Sequence, residues 1–173
     1  PLVVPTMSYI GDLEKKLKKK KVPKPVKRLI EEHLKEGKRF LLFVPRITLL
    51  GPIEAALRRQ FPNAKFETVS SKEIYRQERI AKMRVGELDF LVTTTILERG
   101  VTFPGVDVCV INAHEEEFSR EVLVQIAGRV GRTAECPTGE VVYFHNGKTK
   151  AMVQAVREIE DLNRQALLGR EHG

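Results

Sequence analysis

Lys38-Arg39-Phe40-Leu41-Leu42-Phe43-Val44-Pro45 is the stretch that decides the fold. A compact apolar run, Phe40–Val44, stands between a basic pair and a proline. It reads as a strand buried on both faces. Its flanks supply helices. Upstream, Pro25 suits a first helical turn. Val26, Leu29, Ile30, His33 and Leu34 share one helical face, and Gly37 is placed as the C-cap. His33 on that apolar face reads as a packed partner. Downstream, Leu49, Leu50, Ile53, Ala56 and Leu57 outline a second helix that stops near Pro62.

The unit repeats. Phe66 to Val69 is a short strand, and residues 72–84 form a third helix closed by Gly86. Phe90-Leu91-Val92 and Val106 to Ile111 are strands. Residues 119–127 form a helix that runs into a Gly/Arg loop. Val141-Val142-Tyr143-Phe144 is the last strand, and a long terminal helix carries Met152, Val156, Ile159, Asn163 and Ala166 on one side. Apolar strands alternating with helices imply an α/β domain: a mainly parallel sheet flanked by helices on both faces. Functional residues of such sheets collect in loops at the C-terminal strand ends. Residues 1–24 hold three prolines and the run Lys15-Lys16-Leu17-Lys18-Lys19-Lys20-Lys21. They are expected to be a basic connector, either solvated or touching a nucleic-acid backbone, so that the domain proper covers 25–173.

The chain has 173 residues, 42% of them hydrophobic, enough for one well-packed domain. No run approaches membrane-spanning length, and Pro1–Pro5 is too short for a signal segment. A cytoplasmic location without membrane insertion is expected. Cys109 and Cys136 form no CxxC pair, and the histidines show no ligand spacing, so no metal site is expected. A formal net charge of +7 suits a polyanion partner, although it also serves solubility. Aromatics make up 6% and Trp is absent, which argues against a base-stacking platform and favours phosphate contacts.

Gln125-Ile126-Ala127-Gly128-Arg129-Val130-Gly131-Arg132 carries the most chemistry. Two arginines three apart at a helix end point the same way, and Gly128 and Gly131 leave room for close approach. Two guanidinium forks could converge on one anion, as stabilisation of a transferring phosphoryl group requires. Cations neutralising a helix C-terminus would look the same. The spacing Q-x-x-G-R-x-G-R resembles motif VI of superfamily 2 helicases. The resemblance gives Arg129 and Arg132 a catalytic, γ-phosphate-facing role, and Gln125 a nucleotide or interlobe contact.

A second segment, Val92-Thr93-Thr94-Thr95-Ile96-Leu97-Glu98-Arg99-Gly100-Val101-Thr102, runs from a strand into hydroxyl residues and an Arg-Gly pair. Hydroxyls and backbone N–H groups at such a turn suit a phosphate, while β-branched threonines also simply favour strand ends. It resembles motif V of the same superfamily. The match implies that Thr94 contacts a backbone phosphate, and that Gly100 and Thr95 face the nucleotide. Thr95 and Thr102 stand where many members carry Asp. Phe40–Val44 with Pro45-Arg46 resembles motif IV, which implies that Arg46 meets nucleic acid, as does Arg76. Arg76 falls where a further motif contributes an arginine, and Ser70 and Ser71 occupy the usual nucleic-acid loop.

The resemblance spans residues 25–165 and implies a RecA-like three-layer fold, the second lobe of a motor. Thr93–Pro104, Val106-Asp107-Val108 and Leu123–Arg132 are most similar to the late competence DNA-uptake helicase family, ComFA. That similarity implies single-stranded DNA, ATP with Mg²⁺ held mainly by an N-terminal RecA-like lobe, and a membrane-associated DNA-uptake machinery as partners. A lobe of a primosomal or repair helicase, or a nucleic-acid-binding module without ATPase role, are the alternatives. Gly147-Lys148-Thr149 mimics a phosphate loop, but Val142 stands where the first glycine belongs. It reads as a turn with a threonine N-cap. Glu115-Glu116-Glu117 reads as a solvated loop.

Overall fold

The structure is a computed structural model that describes residues 1–94, 103, 105–130 and 139–172, with side chains of the last helix described through Gly169. Six strands form one sheet: β1 (Thr6–Tyr9), β2 (Arg39–Phe43), β3 (Phe66–Val69), β4 (Phe90–Thr93), β5 (Val106–Val110) and β6 (Val141–His145). Their order is β1-β6-β5-β2-β4-β3, and every pairing is parallel. The helices are α1 (Leu13–Lys18), α2 (Lys24–Glu36), α3 (Leu50–Gln60), α4 (Arg76–Arg84), α5 (Arg120–Ala127) and α6 (Lys150–His172).

The unbroken apolar strands follow from burial of both faces. Phe40, Leu42 and Val44 join a cluster with residues of α1, α2 and α3; Leu41 and Phe43 join a second cluster with residues of α4, α5 and α6. On the first face Phe40, Phe90 and Phe66 stack in series, with centroids 4.6 and 4.7 Å apart. This is the three-layer RecA-like arrangement the alternation and the resemblance imply. Gly37 ends α2 as expected, at φ +67°, where its N–H and that of Lys38 close on the last carbonyls.

Two local expectations fail. Residues 1–24 are woven into the domain and do not form a solvated connector. Strand β1 adds to the sheet beside β6, and Val3, Ile10, Leu13, Leu17 and Val22 are buried. Leu13 and Leu17 are four apart, one turn of α1, so both face the core while the surrounding lysines stay in water. The Leu2 amide donates to Asn163 Oδ1 (2.7 Å), and Asn163 Nδ2 donates back to the Leu2 carbonyl (2.9 Å), which fastens this segment to α6. Helix α4 starts at Arg76, not at 72, because Ser70 and Glu73 hold the intervening residues in turns.

Candidate functional site

The strand register aligns Val69, Thr93, Phe43, Val110, Tyr143 and Met7 in one row near the C-terminal edge of the sheet. One residue beyond it, Ser70, Thr94 and Val44 leave β3, β4 and β2. Neighbouring strands lie about 4.8 Å apart, so Ser70, Thr94 and the Pro45-Arg46 turn are brought together at one edge. Thr94 is buried, and its hydroxyl has no hydrogen-bond partner among the described residues. Leaving such a group unsatisfied costs about 1–3 kcal/mol, which a phosphate oxygen arriving from outside would relieve. Ser70 is half-buried and its Oγ accepts from the Lys72 amide at 3.3 Å; Ser71 is exposed. Arg76 is half-buried at the first position of α4.

Chain connections leave β2 and β5 in opposite directions, one toward β3 and the other toward β6. Such divergence opens a crevice at the C-terminal strand ends. Arg46 bridges it. Its Nε donates to Glu115 Oε1 at 2.8 Å, its Nη2 to Glu14 Oε1 at 3.0 Å, and its Nη1 to Thr48 Oγ1 at 3.1 Å. The Glu115 and Glu14 hydrogen bonds raise the pKa of Arg46. Arg46, expected to meet nucleic acid, is therefore engaged by two carboxylates of its own chain. Glu115 departs from the solvated-loop expectation: it is half-buried and also accepts from Asn112 Nδ2 at 2.7 Å. Asn112 sits at φ +55°, a left-handed conformation that Asn tolerates, and its Oδ1 is buried without a partner among the described residues.

Helix α5 presents the motif VI segment. The Ser119 hydroxyl caps its start by accepting from the Val122 amide. Leu123, Ile126 and Ala127 pack into the core, and the Tyr143 hydroxyl donates to the Leu123 carbonyl at 2.9 Å. Gln125 is therefore left exposed and Arg129 half-buried at the helix end. Burial pulls the Arg129 pKa down from its ordinary value, yet a guanidinium stays charged. Gly128 adopts ordinary helical angles, and an added Cβ would meet only helix carbonyls at 3.4 Å or more. The chain's own packing does not demand that glycine. Arg132, Thr95 and Gly100 lie outside the described residues.

The opposite, N-terminal edge holds a constellation that sequence spacing did not signal. His33 Nδ1 lies 2.9 Å from the Leu29 carbonyl, and its Nε2 lies 2.8 Å from Asp107 Oδ2. A carbonyl only accepts, so Nδ1 carries a proton. Nε2 faces the Asp107 carboxylate, and the two form an ion pair when the ring is doubly protonated. The Glu140 amide donates to Asp107 Oδ1 at 3.0 Å. His33, Asp107 and Glu140 place ligand-type atoms within 4.8 Å of one another, with both ring nitrogens already engaged. The partners stand 74 residues apart in sequence, beyond the reach of any local pattern. The decoy phosphate loop is closed to a ligand: the Gly147 amide donates to His145 Nδ1 at 2.9 Å, and Thr149 Oγ1 accepts from the Met152 amide at 3.2 Å. Cys109 is a free, buried thiol whose pKa burial pushes up.

Comparison with known proteins identifies the family and the fold. The model of the helicase conserved C-terminal domain matches residues 21–134. The competence protein ComFA of Bacillus subtilis is 43% identical over 166 residues, 96% of this chain and 35% of that protein. ComFA of Streptococcus pneumoniae is 39% identical, again over 96% of this chain and 38% of its own length. The chain thus spans between 35% and 38% of the length of these relatives. Among solved structures, the C-terminal domain of S. cerevisiae Dbp5 superposes with a TM-score of 0.60 at 14% identity, covering 94% of this chain and 85% of that one. No helix of the described residues is long and apolar enough to cross a membrane.

Proposed function

Because the chain belongs to the helicase conserved C-terminal domain family, we propose that it is the second motor lobe of an ATP-dependent DNA translocase that serves DNA uptake in competence. The observation that carries the reading is a division of labour between two sets of polar side chains. Ser70 and Thr94, with its unpartnered hydroxyl, stand beside the Pro45-Arg46 turn in the β3-β4-β2 half of the sheet, and Arg129 ends α5. The first set suits backbone phosphates of a single strand, and the second suits the γ-phosphate of a nucleotide. ComFA likeness over 96% of the chain supports DNA uptake and a place beside membrane-associated uptake partners.

ATP, held with Mg²⁺ mainly by an N-terminal lobe, supplies the phosphoryl group whose loss drives the motor. The fit on this chain is the guanidinium of Arg129, desolvated yet charged. Arg129 and Arg132 act as fingers that neutralise charge on the equatorial oxygens. Gln125, exposed one turn earlier, orients the same group or the facing lobe, and Thr95 and Gly100 complete the nucleotide side. This chain by itself hydrolyses nothing, since the phosphate-cradling loop belongs to the other lobe. The test compares single-strand-stimulated ATPase of the full-length protein with its Arg132→Ala variant. A fall of roughly 10³-fold in turnover with DNA and nucleotide binding retained is expected. Unchanged turnover would leave a nucleic-acid-binding module.

A further inference from the structure

All eight phenylalanines and Tyr143 are buried, and the other two tyrosines, Tyr9 and Tyr75, are 66% and 53% exposed. The Tyr9 ring meets the edge of His145. Tyr75 adjoins Ile74, which is 84% exposed. Both belong to the segment between β3 and α4, directly after Ser70.

That exposure is a held conformation. The Glu73 amide donates to the Ser70 carbonyl (3.2 Å), the Lys72 amide to Ser70 Oγ (3.3 Å), and the Tyr75 amide to Glu73 Oε1 (3.2 Å). Arg79 lies with its guanidinium carbon 5.9 Å from the Tyr75 ring centroid, and is itself fixed by Glu67, Glu73 and the Thr68 carbonyl. An apolar side chain and an aromatic ring are thus presented to water by a braced turn. The turn begins where Ser70 stands beside Thr94. Lys72 and Arg76, on either side of the pair, add positive charge of the sign a polyanion requires.

We propose that Tyr75, with Ile74 beside it, stacks on an unpaired base of the single strand whose backbone runs past Ser70 and Thr94; this rests on the nucleic-acid reading above. A π-face accepts any base, so the contact grips a strand without reading its sequence, as a translocase needs. The low aromatic content pointed away from stacking. Composition counts rings and is blind to which of them is left uncovered.

The test uses the full-length protein and a fluorescein-labelled mixed-sequence single strand, followed by anisotropy, with a matching strand that carries abasic sites. Tyr75→Ala should weaken binding of the normal strand about tenfold, and Tyr75→Phe should not. The abasic strand should bind wild type about tenfold more weakly than the normal strand, while Tyr75→Ala should scarcely distinguish the two. Tyr75→Ala binding like wild type, or equal affinity of wild type for both strands, overturns the stacking contact. If Thr94→Val weakens binding in that case, the nucleic-acid reading survives alone. If wild type binds neither strand, both readings fall. Normal DNA affinity with a lowered melting temperature in Tyr75→Ala would assign the turn to a protein contact and also overturn the proposal.

Discussion

The two edges of the sheet are built on opposite plans. At the N-terminal edge, most charged and polar groups close on one another: His33 on Asp107, the Glu140 amide on Asp107, and the Lys65 amide on Asp89, although Arg39 Nη2 is buried without a partner among the described residues. Gly139 packs there so tightly that an added Cβ would lie 2.4 Å from Val130 Cγ1 and 3.2 Å from Val3 Cγ2. At the C-terminal edge, Thr94 Oγ1 and Asn112 Oδ1 are buried without partners among the described residues, and Ile74 and Tyr75 stand in water. A folded chain tolerates unmet hydrogen bonds where something else will meet them. The contrast separates a stability edge from a working edge, and substitutions can test that separation.

The largest effect on the stability side is expected from Gly139→Ala. An added Cβ would overlap Val130 Cγ1, so overpacking should cost about 1–3 kcal/mol in a urea titration. At temperatures where the variant stays folded, its single-strand affinity should match wild type. On the working side, Thr94→Val removes a hydroxyl that has no partner, so the urea midpoint should hold or rise. Strand affinity should fall about tenfold, the worth of a hydrogen bond to a charged oxygen. A Thr94→Val variant that lost stability and kept its affinity would invert the assignment of the edges.

Glu115→Gln probes the crevice at the C-terminal edge. It frees Arg46 from its closest carboxylate, and a partly exposed ion pair of this kind is worth up to about 1 kcal/mol. Single-strand affinity should therefore rise by no more than about fivefold. Salt titration should show a steeper slope, by about one phosphate contact, that Arg46→Ala abolishes.

The smallest effect is the pH response of the closed edge. Burial pulls the His33 pKa down, but the Asp107 hydrogen bond, the Leu29 carbonyl and the nearby carboxylates outweigh it and set it above 6.5. A raised histidine pKa stabilises the fold fully below the unfolded value, and that contribution is lost as pH climbs through the folded one. The urea midpoint should decline as pH rises from 6.5 upward. Asp107→Asn should flatten that decline and leave turnover unaffected.

How far the sequence reveals these edges depends on the range of the interactions. Helices α2, α3, α5 and α6 and strands β2 to β6 follow from local periodicity, since each is a run of side chains answering to one or two buried faces. Strand β1 is four residues long and pairs with residues about 135 positions away. Its prolines and the lysines beyond it obscured Leu13 and Leu17. The same rule holds in the site. Gln125 and Arg129 fall at a helix end as their spacing implies, because a helix turn fixes them. The engagement of Arg46 by Glu14 and Glu115, and of His33 by Asp107, joins segments at least 32 positions apart, which no pattern within one segment encodes. Tyr75 was visible as a letter, but its exposure is a property of the turn around it.

The pairing of β1 with β6 also sets a schedule. Thr6 to Tyr9 leave the ribosome well before their partners Val142 to His145. At about 5–20 residues per second, the gap is on the order of ten seconds. Through that interval the β1 backbone lacks its strand partner. The lysines of residues 15–21 then act as gatekeepers: their repulsion keeps a waiting apolar segment from pairing with a neighbour before its own partner exists.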